Sequence, residues 1–388
     1  MIDKLKSALD NSSFAEAKEL INEISTSEEY SDEALELIVR ALKSGDNSLM
    51  DLANNILLYL PSEFHKNASS ELSKIIEFGN ISARNTSGEI LRSYNQDALE
   101  DLVRLLKSTD FDVRKFACDV IGLIGERSVE NDIIPLLFDD DVNVRTSAVE
   151  TLGNIKSKDS VQDLIELFNR EVELQNNIID SIGKIGGEEA EDFLLDLFEH
   201  NDDEFIKILA IEALAHCGSR MQVVYAVVNH MKDFNEEVQK IILKTVTAIP
   251  YRLNERYKIP KKHRHIAHLA LEDDDEDLKL SGMTALGNDL EKSDVAPLVK
   301  LATQNNENIN QVMLINLIES HNDEVIREFI EQLVTSETPE TIVNMAITAS
   351  FLYNEAGMTN MKQFMELTIE ISKEKNPQIL EDLDISEN

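Results

Sequence analysis

Tryptophan is absent from the 388-residue sequence, and proline and glycine are scarce, with 7 and 13 copies. β-Sandwiches and barrels depend on strand-favouring residues and on many tight turns, for which glycine and proline are the usual choices. Many short helices need far fewer of them. The composition therefore argues against an all-β fold, and we predict an all-α protein.

Positive charge is also scarce. Lys and Arg total 37 against 74 Asp and Glu, which gives a formal net charge of −37. Because binding to phosphate or to anionic membranes draws on clustered cations, this balance excludes nucleic acid and membrane surfaces as expected partners. Basic proteins or peptide segments are favoured. The apolar share of 42% is large enough for a core, so the chain should fold.

Cysteine occurs only twice, as Cys118 and Cys217. A repeat of about 31 residues places these residues three units apart, much further than the ~7 Å Cα separation that a disulfide tolerates. Both are therefore predicted to be reduced thiols. Residues 1–25 lack the apolar core of a signal peptide, and no apolar run reaches the length of a membrane span. We expect a cytoplasmic protein.

The repeat is one pattern that recurs between residues 81 and 318: an acidic or Asn turn, an apolar residue, often a basic one, then Ala, Leu and Gly at fixed offsets. We call the apolar residue the opening residue and give it offset 0. Opening residues follow one another every 30 to 34 residues, with a single interval of 40. They are Leu49, Ala83, Val113, Val144, Leu174, Ile206, Val238, Leu278, Ile309 and Val343.

A period near 31 residues fits two helices joined by tight turns. In the second helix of each unit, the apolar residues at offsets 0, 4, 8 and 11 share one face, which must be buried. A first amphipathic helix lies upstream of each second helix. We therefore predict a right-handed α/α solenoid of about ten helical hairpins.

This register divides the chain into four parts. Residues 1–80 are predicted to form N-terminal capping helices and degenerate repeats, and residues 81–320 the regular repeats. Residues 321–375 are assigned to a degenerate repeat with a capping helix, and residues 376–388 to an acidic tail. Both ends of a repeat stack need a polar outer face, which the charged terminal segments supply.

Small and acidic residues recur where helical hairpins need them. Asp110 and Asp141 precede second helices and are predicted to cap them. Glycine at offset 9 should let neighbouring second helices approach closely, and glycine at offset 12 should end the helix in a left-handed conformation. The first group is Gly122, Gly153, Gly183 and Gly287, and the second is Gly125, Gly186 and Gly218.

The pattern Asp-x-x-Val-Arg-x-x-Ala-x-x-x-Leu-Gly-x-Ile, present from Asp141 to Ile155, resembles the HEAT-like repeat of the phycobilisome-lyase type. The resemblance covers roughly residues 81–320. It implies that the Arg of the pattern bonds to turn carboxylates of neighbouring units and forms a ladder along the stack. Arg84, Arg114 and Arg145 match, whereas the equivalent positions further on hold Gln175, Lys207, Gln239, Lys279 and Asn310.

Two enzymes are built of similar HEAT-like repeats, and the resemblance makes their activities worth considering. Deoxyhypusine hydroxylase takes its iron ligands from His-Glu dipeptides, and none of the eight histidines here is followed by Glu, which excludes that activity. Bilin lyases cradle a tetrapyrrole in the same repeat, but no lyase-specific residue can be matched onto this chain. A bilin or cofactor lyase therefore stays an alternative. We predict no catalytic residue and no cofactor.

Offset 6 points away from the buried face and should line the inner, concave surface of the stack. Five successive units place a carboxylate there, which would attract a basic helix or tail. The alternative is a charged, solvated face that keeps the solenoid soluble. The five residues, called the acidic stripe, are Glu89, Asp119, Glu150, Asp180 and Glu212.

The interval of 40 residues marks an insertion at residues 251–264, the only basic island of the sequence. It could bind a phosphorylated or acidic partner. Alternatively, it could fold against the acidic run at residues 273–277. Its cations, proposed as partner-binding together with the acidic stripe, are Arg252, Arg256, Lys258, Lys261, Lys262 and Arg264.

His263, His265 and His268 close the insertion, and two of them share a helix face. A zinc site would need further ligands, so we interpret them as solvated histidines and predict no metal. Our interpretation of the whole sequence is a scaffold or adaptor that binds a basic protein segment on an acidic surface. The sequence does not indicate an oligomeric state.

Overall fold

The computed structural model of the protein describes residues 1–255, 258–335 and 339–382. Within these ranges it contains α-helices and short 3₁₀ segments and no strand, which confirms the predicted all-α solenoid class. The chain forms two compact units, Met1–Phe193 (unit 1) and Leu194–Asn388 (unit 2). Residues 383–388 of the predicted acidic tail lie outside the described residues, as does Arg256 of the insertion.

Unit 1 is built of helical hairpins, and its second helices α2, α4, α6, α8, α10 and α12 pack on one another in that order. Short 3₁₀ segments lie at Ser62–Phe64, Asn95–Ala98, Arg127–Val129, Ile134–Phe138, Lys158–Ser160 and Val172–Leu174. The α-helices are α1 (Ile2–Asp10), α2 (Phe14–Ser27), α3 (Asp32–Ala41), α4 (Asn47–Leu58), α5 (His65–Phe78), α6 (Ile81–Ser93), α7 (Leu99–Leu105), α8 (Phe111–Ile124), α9 (Glu130–Ile133), α10 (Val142–Asn154), α11 (Val161–Arg170) and α12 (Gln175–Ile185), and α13 (Glu188–His200) contains the division.

Unit 2 repeats the arrangement, and its second helices α14, α16, α18, α20 and α22 pack in that order. Two 3₁₀ segments lie at Met231–Asp233 and Lys261–His263. The α-helices are α14 (Glu204–Cys217), α15 (Met221–His230), α16 (Glu236–Leu253), α17 (Arg264–Leu271), α18 (Glu276–Leu286), α19 (Lys292–Ala302), α20 (Glu307–Glu319), α21 (Asp323–Thr335), α22 (Pro339–Asn354), α23 (Met361–Lys375) and α24 (Ile379–Asp382).

The predicted register agrees with the burial of the second helices except in the last unit. Nine of the ten opening residues, from Leu49 to Ile309, are buried. Val343 is only half-buried, and Ile342 beside it is buried. The opening residue of the last unit is therefore Ile342, because the buried face of α22 begins one residue earlier than the prediction placed it.

The predicted N-caps are confirmed. A carboxylate oxygen of Asp110 accepts a hydrogen bond from the Asp112 amide at 2.9 Å. Asp141 accepts from the amides of Asn143 and Val144 at 2.8 and 3.3 Å. Each cap satisfies amides that the first turn of a helix leaves without a backbone partner.

Two of the predicted glycine roles are exchanged. A Cβ on Gly153 would lie 2.8 Å from the Ser181 side chain of the next second helix, as predicted for offset 9. Gly287, placed in the same group, instead ends α18 with a φ of +56°. Gly218, predicted to be left-handed, has a φ of −54°, and a Cβ there would lie 2.5 Å from Ile249 Cδ1. A Cβ at position 218 would also lie 2.7 Å from the Leu214 carbonyl oxygen, so a larger residue there requires the backbone to shift.

The expected arginine ladder is present in unit 1. Arg114 donates from Nε and Nη2 to both carboxylate oxygens of Asp139, at 2.8 and 2.7 Å, and from Nη1 to the Ser108 carbonyl at 2.9 Å. One unit later, Arg145 donates from Nε and Nη2 to a single carboxylate oxygen, Glu171 Oε2, at 3.1 and 2.8 Å, and from Nη1 to the Asp139 carbonyl at 2.8 Å. Each arginine therefore joins the end of its own first helix to a turn carboxylate of the following hairpin.

The ladder weakens where the sequence departs from arginine. Gln175 keeps the bond to its own unit, donating to the Phe168 carbonyl at 3.2 Å. Its uncharged amide forms no ion pair with a later turn. At the other end, Arg84 Nη2 lies 4.0 Å from Asp110 Oδ2, at the limit of an ion pair.

Candidate functional site

The acidic stripe lies on exposed or half-exposed surface in both units. In unit 1, Glu89, Asp119, Glu150 and Asp180 stand on four second helices that pack in sequence, α6, α8, α10 and α12. In unit 2, Glu212 is exposed on α14. The predicted offset therefore does place one solvent-facing carboxylate on each of these helices.

Three unit 1 carboxylates already have a cation on their own helix. Asp119 pairs with Lys115 at 2.7 Å, and Asp180 pairs with Lys184 at 2.9 Å. Glu89 lies 3.8 Å from Arg92. These neighbours lower the net charge of the stripe, which favours the alternative of a solvated face for this part of it.

Unit 2 contains an open groove of about 1020 Å³ along its second helices. Glu212 of the acidic stripe lines it, and so do Lys244 and Thr284 at the same offset in the next two units. Arg252 from the basic insertion lies at its edge. The groove thus brings together residues from both predicted binding surfaces, on helices α14, α16 and α18.

The two lysines of the groove are neutralised internally. Lys240 Nζ lies 2.8 Å from Asp273 Oδ2, and Lys244 pairs with Asp275. The hydrogen bond that Lys240 donates to Asp273 raises the pKa of Lys240, and the bonds donated by Lys240 and Lys244 lower the pKa values of Asp273 and Asp275. The two pairs hold α16 to the turn before α18.

Five carboxylates line the groove against three cations, so its lining carries a net negative charge. Among the described residues, Glu212 and Asp277 have no ion-pair partner. Apolar surface is exposed beside them: Leu280 is 37% exposed and Tyr251 is 82% exposed. The groove therefore offers apolar surface next to uncompensated negative charge.

Most described cations of the insertion have intramolecular partners. Arg252 donates from Nη1 and Nη2 to the carbonyls of Ala215 and Gly218, at 2.5 and 2.7 Å. Lys261 pairs with Glu291. Lys258 and Lys262 are exposed.

Arg264 is buried in a network at the start of α17. It donates from Nε and Nη2 to Asp294, at 2.8 and 2.7 Å, and His268 Nε2 lies 2.7 Å from the same carboxylate. Arg264 therefore stabilises the packing of α17 on α19 and does not face solvent. The acidic run contributes nothing to this network, because Asp273 and Asp275 pair with α16 instead.

The three histidines do not form a metal site, and no cluster of three or more potential ligands occurs among the described residues. His263 is buried, which differs from the predicted solvated state, and burial lowers its pKa. Sequence reasoning missed the Lys240 pair because the cation sits one position after Gln239, the expected arginine position. A search for cations at the adjacent position would have found it.

The stacked hairpins define an α-helical repeat protein. Residues 99–174 match the family model described as HEAT repeats. These residues contain the two strongest bonds of the arginine ladder, so the sequence match and the geometry agree. Residues 99–174 are therefore HEAT repeats, as the repeat pattern indicated.

Several solved structures are similar to this chain at low identity. They include phycocyanin lyase, a complex of CpcE and CpcF from a Nostoc species, with 19% identity over 61% of this chain and 92% of that chain and a TM-score of 0.33. An engineered protein is 17% identical over 96% and 98% of the two chains, with a TM-score of 0.34. Importin beta is 13% identical over 90% of this chain and 56% of that one, with a TM-score of 0.48. At these values the likenesses support no statement about activity.

No curated protein matches the sequence. In the described part of the chain, the helices are too short or too polar to cross a bilayer.

Proposed function

We propose that this HEAT-repeat protein is a scaffold whose unit 2 groove binds a segment of a partner protein that carries basic and apolar residues. The observation that supports the proposal most directly is the internal neutralisation of Lys240 and Lys244. Because both lysines are paired, the charge left in the groove is that of Glu212, Glu237 and Asp277 against the single cation Arg252 at its edge, which is net negative. A basic segment would supply the missing countercharge.

The shape of the groove favours a peptide over a large folded surface. It is open, and its exposed apolar residues are Tyr251 and Leu280. An apolar side chain of the partner would pack on them while neighbouring Lys or Arg residues reach the carboxylates. Burial of apolar surface provides affinity, and the charges direct encounter and orientation.

The acidic stripe of unit 1 is proposed as an accessory contact. Its carboxylates occupy the same repeat position as Glu212, but most of them have a cation nearby. Glu150 is the exception, since its Oε1 accepts a hydrogen bond from the Asn177 side-chain amide at 3.0 Å. We expect reversal of Glu150 to affect binding less than reversal of the groove carboxylates.

The test is fluorescence anisotropy with a labelled 12-residue peptide that carries four Lys or Arg residues around a central Leu-Phe pair. The variant combines Glu212→Lys with Asp277→Lys, and we expect it to bind at least ~10-fold more weakly. The matched control combines Glu340→Lys with Glu355→Lys, which makes the same charge change at exposed positions near the two ends of α22. Equal weakening in both variants, or none in the first, would reject the groove as the binding site.

The two other functions drawn from the sequence have less support. A phosphate-binding role for the insertion would depend on Lys258 and Lys262, which are exposed. Arg252, Lys261 and Arg264 already form hydrogen bonds or ion pairs within the protein. A bilin or cofactor lyase stays an untested prediction.

A further inference from the structure

A row of exposed apolar residues follows the start of successive second helices in unit 1. Ile81, Phe111 and Val142 are each the first residue of a second helix, directly after a capping Asn or Asp. Val172 holds the same offset, two residues before the opening residue, at the start of the 3₁₀ segment that leads into α12. Their exposures are 78%, 44%, 38% and 79% in chain order.

The same offset holds glutamate in unit 2. Two residues before the opening residue, the second helices α14, α16, α18 and α20 carry Glu204, Glu236, Glu276 and Glu307. Glutamate in the first turn of a helix is favoured by the helix dipole and is soluble, whereas an exposed apolar residue gains neither advantage. The fold therefore accepts glutamate at this offset, and the high exposure of Ile81 and Val172 shows that these two side chains contribute little to packing within the chain.

Negative charge surrounds the row. Asp112, Asp140 and Glu173 are exposed next to it and have no ion-pair partner among the described residues. The arginines close to the row in sequence all lie near carboxylates: Arg114 and Arg145 are paired in the ladder, Arg170 pairs with Glu166 at 3.3 Å, and Arg84 lies 4.0 Å from Asp110. The surface is thus an apolar strip with an acidic border, and its charge complement is a basic one.

The spacing of the row matches that of an α-helix with a heptad repeat. Packed helices lie ~8–10 Å apart, so neighbouring members of the row are separated by about that distance. Residues seven apart on an α-helix are separated by ~10.5 Å along its axis. A helix with apolar residues at every seventh position can therefore contact all four members.

We propose that the row Ile81, Phe111, Val142 and Val172 is a docking surface for an amphipathic, basic α-helix of a partner protein. The helix lies across the starts of the second helices, with its apolar side chains on the row and its Lys or Arg residues facing Asp112, Asp140 and Glu173. This surface uses different residues and a different unit from the groove, so either proposal stands without the other.

The test uses two labelled 28-residue peptides made of Lys and Ala, one with Leu at every seventh position and one with Ala in place of each Leu. The readout is the ratio of their dissociation constants, which removes the general attraction of basic peptides to an acidic protein. Wild-type protein should bind the Leu peptide at least ~10-fold more tightly than the Ala peptide. The quadruple variant Ile81→Glu, Phe111→Glu, Val142→Glu and Val172→Glu should bring the ratio close to one.

The variant adds four negative charges, which would strengthen binding of any basic peptide if charge alone mattered. The matched control, Tyr59→Glu with Leu123→Glu, changes exposed apolar residues of unit 1 outside the row and should keep the wild-type ratio. Circular dichroism checks that the quadruple variant is folded. A wild-type ratio near one, or an unchanged ratio in the variant, would overturn the proposal. So would light scattering that shows a dimer dissociated by the four substitutions, because the occupant would then be a second copy.

Discussion

Arg114 and Asp139 form a two-point ion pair between consecutive hairpins, with Nε and Nη2 at 2.8 and 2.7 Å from the two carboxylate oxygens. Their side chains are only 15% and 9% exposed. We predict that Arg114→Ala lowers the free energy of unfolding by about 2–3 kcal/mol, because it leaves a largely buried carboxylate without its partner. Urea unfolding followed by circular dichroism measures the loss.

Two further variants make that prediction specific. Arg114→Lys should cost less than Arg114→Ala, since it keeps the charge but cannot form both bonds. Arg92→Ala, which removes the exposed contact with Glu89, should change stability little. An equal cost for the Arg92 and Arg114 alanine variants would contradict a special role for the ladder.

Asp294 is predicted to make stability depend on pH in the acid range. Burial alone would raise its pKa, but hydrogen bonds from His268, Arg264 and the Glu291 amide hold the pKa at about 2, below the ordinary 3.8. A lowered pKa in the folded state means that the contribution is complete above pH ~4 and is lost as the pH falls toward 2. From the size of the shift it is worth about 2 kcal/mol.

Asp294→Asn tests this dependence. The stability difference between wild type and variant should be largest from pH 5 to 7 and should shrink as the pH falls from ~4 to ~2. Any part of the stability difference that does not change with pH would come from Arg264, which the variant leaves buried without its ion-pair partner. Asp202→Asn, at an exposed position away from this network, controls for the change in net charge. A difference that stays constant down to pH 2 would contradict the prediction.

Features that depend on periodicity and local chemistry could be predicted from the sequence. Val113 and Val144 are buried because apolar residues at helical spacing must face a neighbour, and Asp110 and Asp141 cap because they precede that pattern. The ladder bonds of Arg114 were expected from the resemblance. Each of these features depends on positions fixed within one repeat.

Features that depend on departures from the repeat could not be predicted in the same way. In the groove of unit 2, Lys240, one position after the expected arginine, pairs with Asp273 of the next unit. Arg264 was predicted to bind a partner protein. It instead pairs with Asp294, which lies 30 residues further on in the next hairpin. Sequence charge alone does not show which cations are already neutralised within the fold.

The two cysteines should differ in reactivity. Cys118 is buried, and burial raises the pKa of its thiol to about 12, so almost no thiolate forms at pH 8. Cys217 is half-buried at the end of α14. We expect iodoacetamide at pH 8 to modify Cys217 in the native protein and Cys118 only after denaturation, as measured by peptide mass spectrometry. Equal labelling of both in the native state would contradict the burial of Cys118.

Lys244→Gln should strengthen binding in the groove, the opposite effect to reversal of Glu212. Lys244 pairs with Asp275, and its removal leaves that carboxylate free to attract a basic peptide. We expect the labelled 12-residue basic peptide to bind ~2- to 5-fold more tightly at low salt, a gain typical of a partly exposed charge. The gain should fade at ~0.5 M salt, where such interactions are screened.

Lys292→Gln is the matched control for this gain. Lys292 pairs with Glu324 at 2.5 Å and does not line the groove, so its loss makes the same change in net charge at another place in unit 2. If the groove holds the peptide, only the Lys244 variant gains affinity, because the field of a single exposed charge decays within the Debye length of ~10 Å at 0.1 M salt. An equal gain in both variants would mean that the peptide responds to net charge alone, and a loss in the Lys244 variant would place Lys244 itself in contact with the partner.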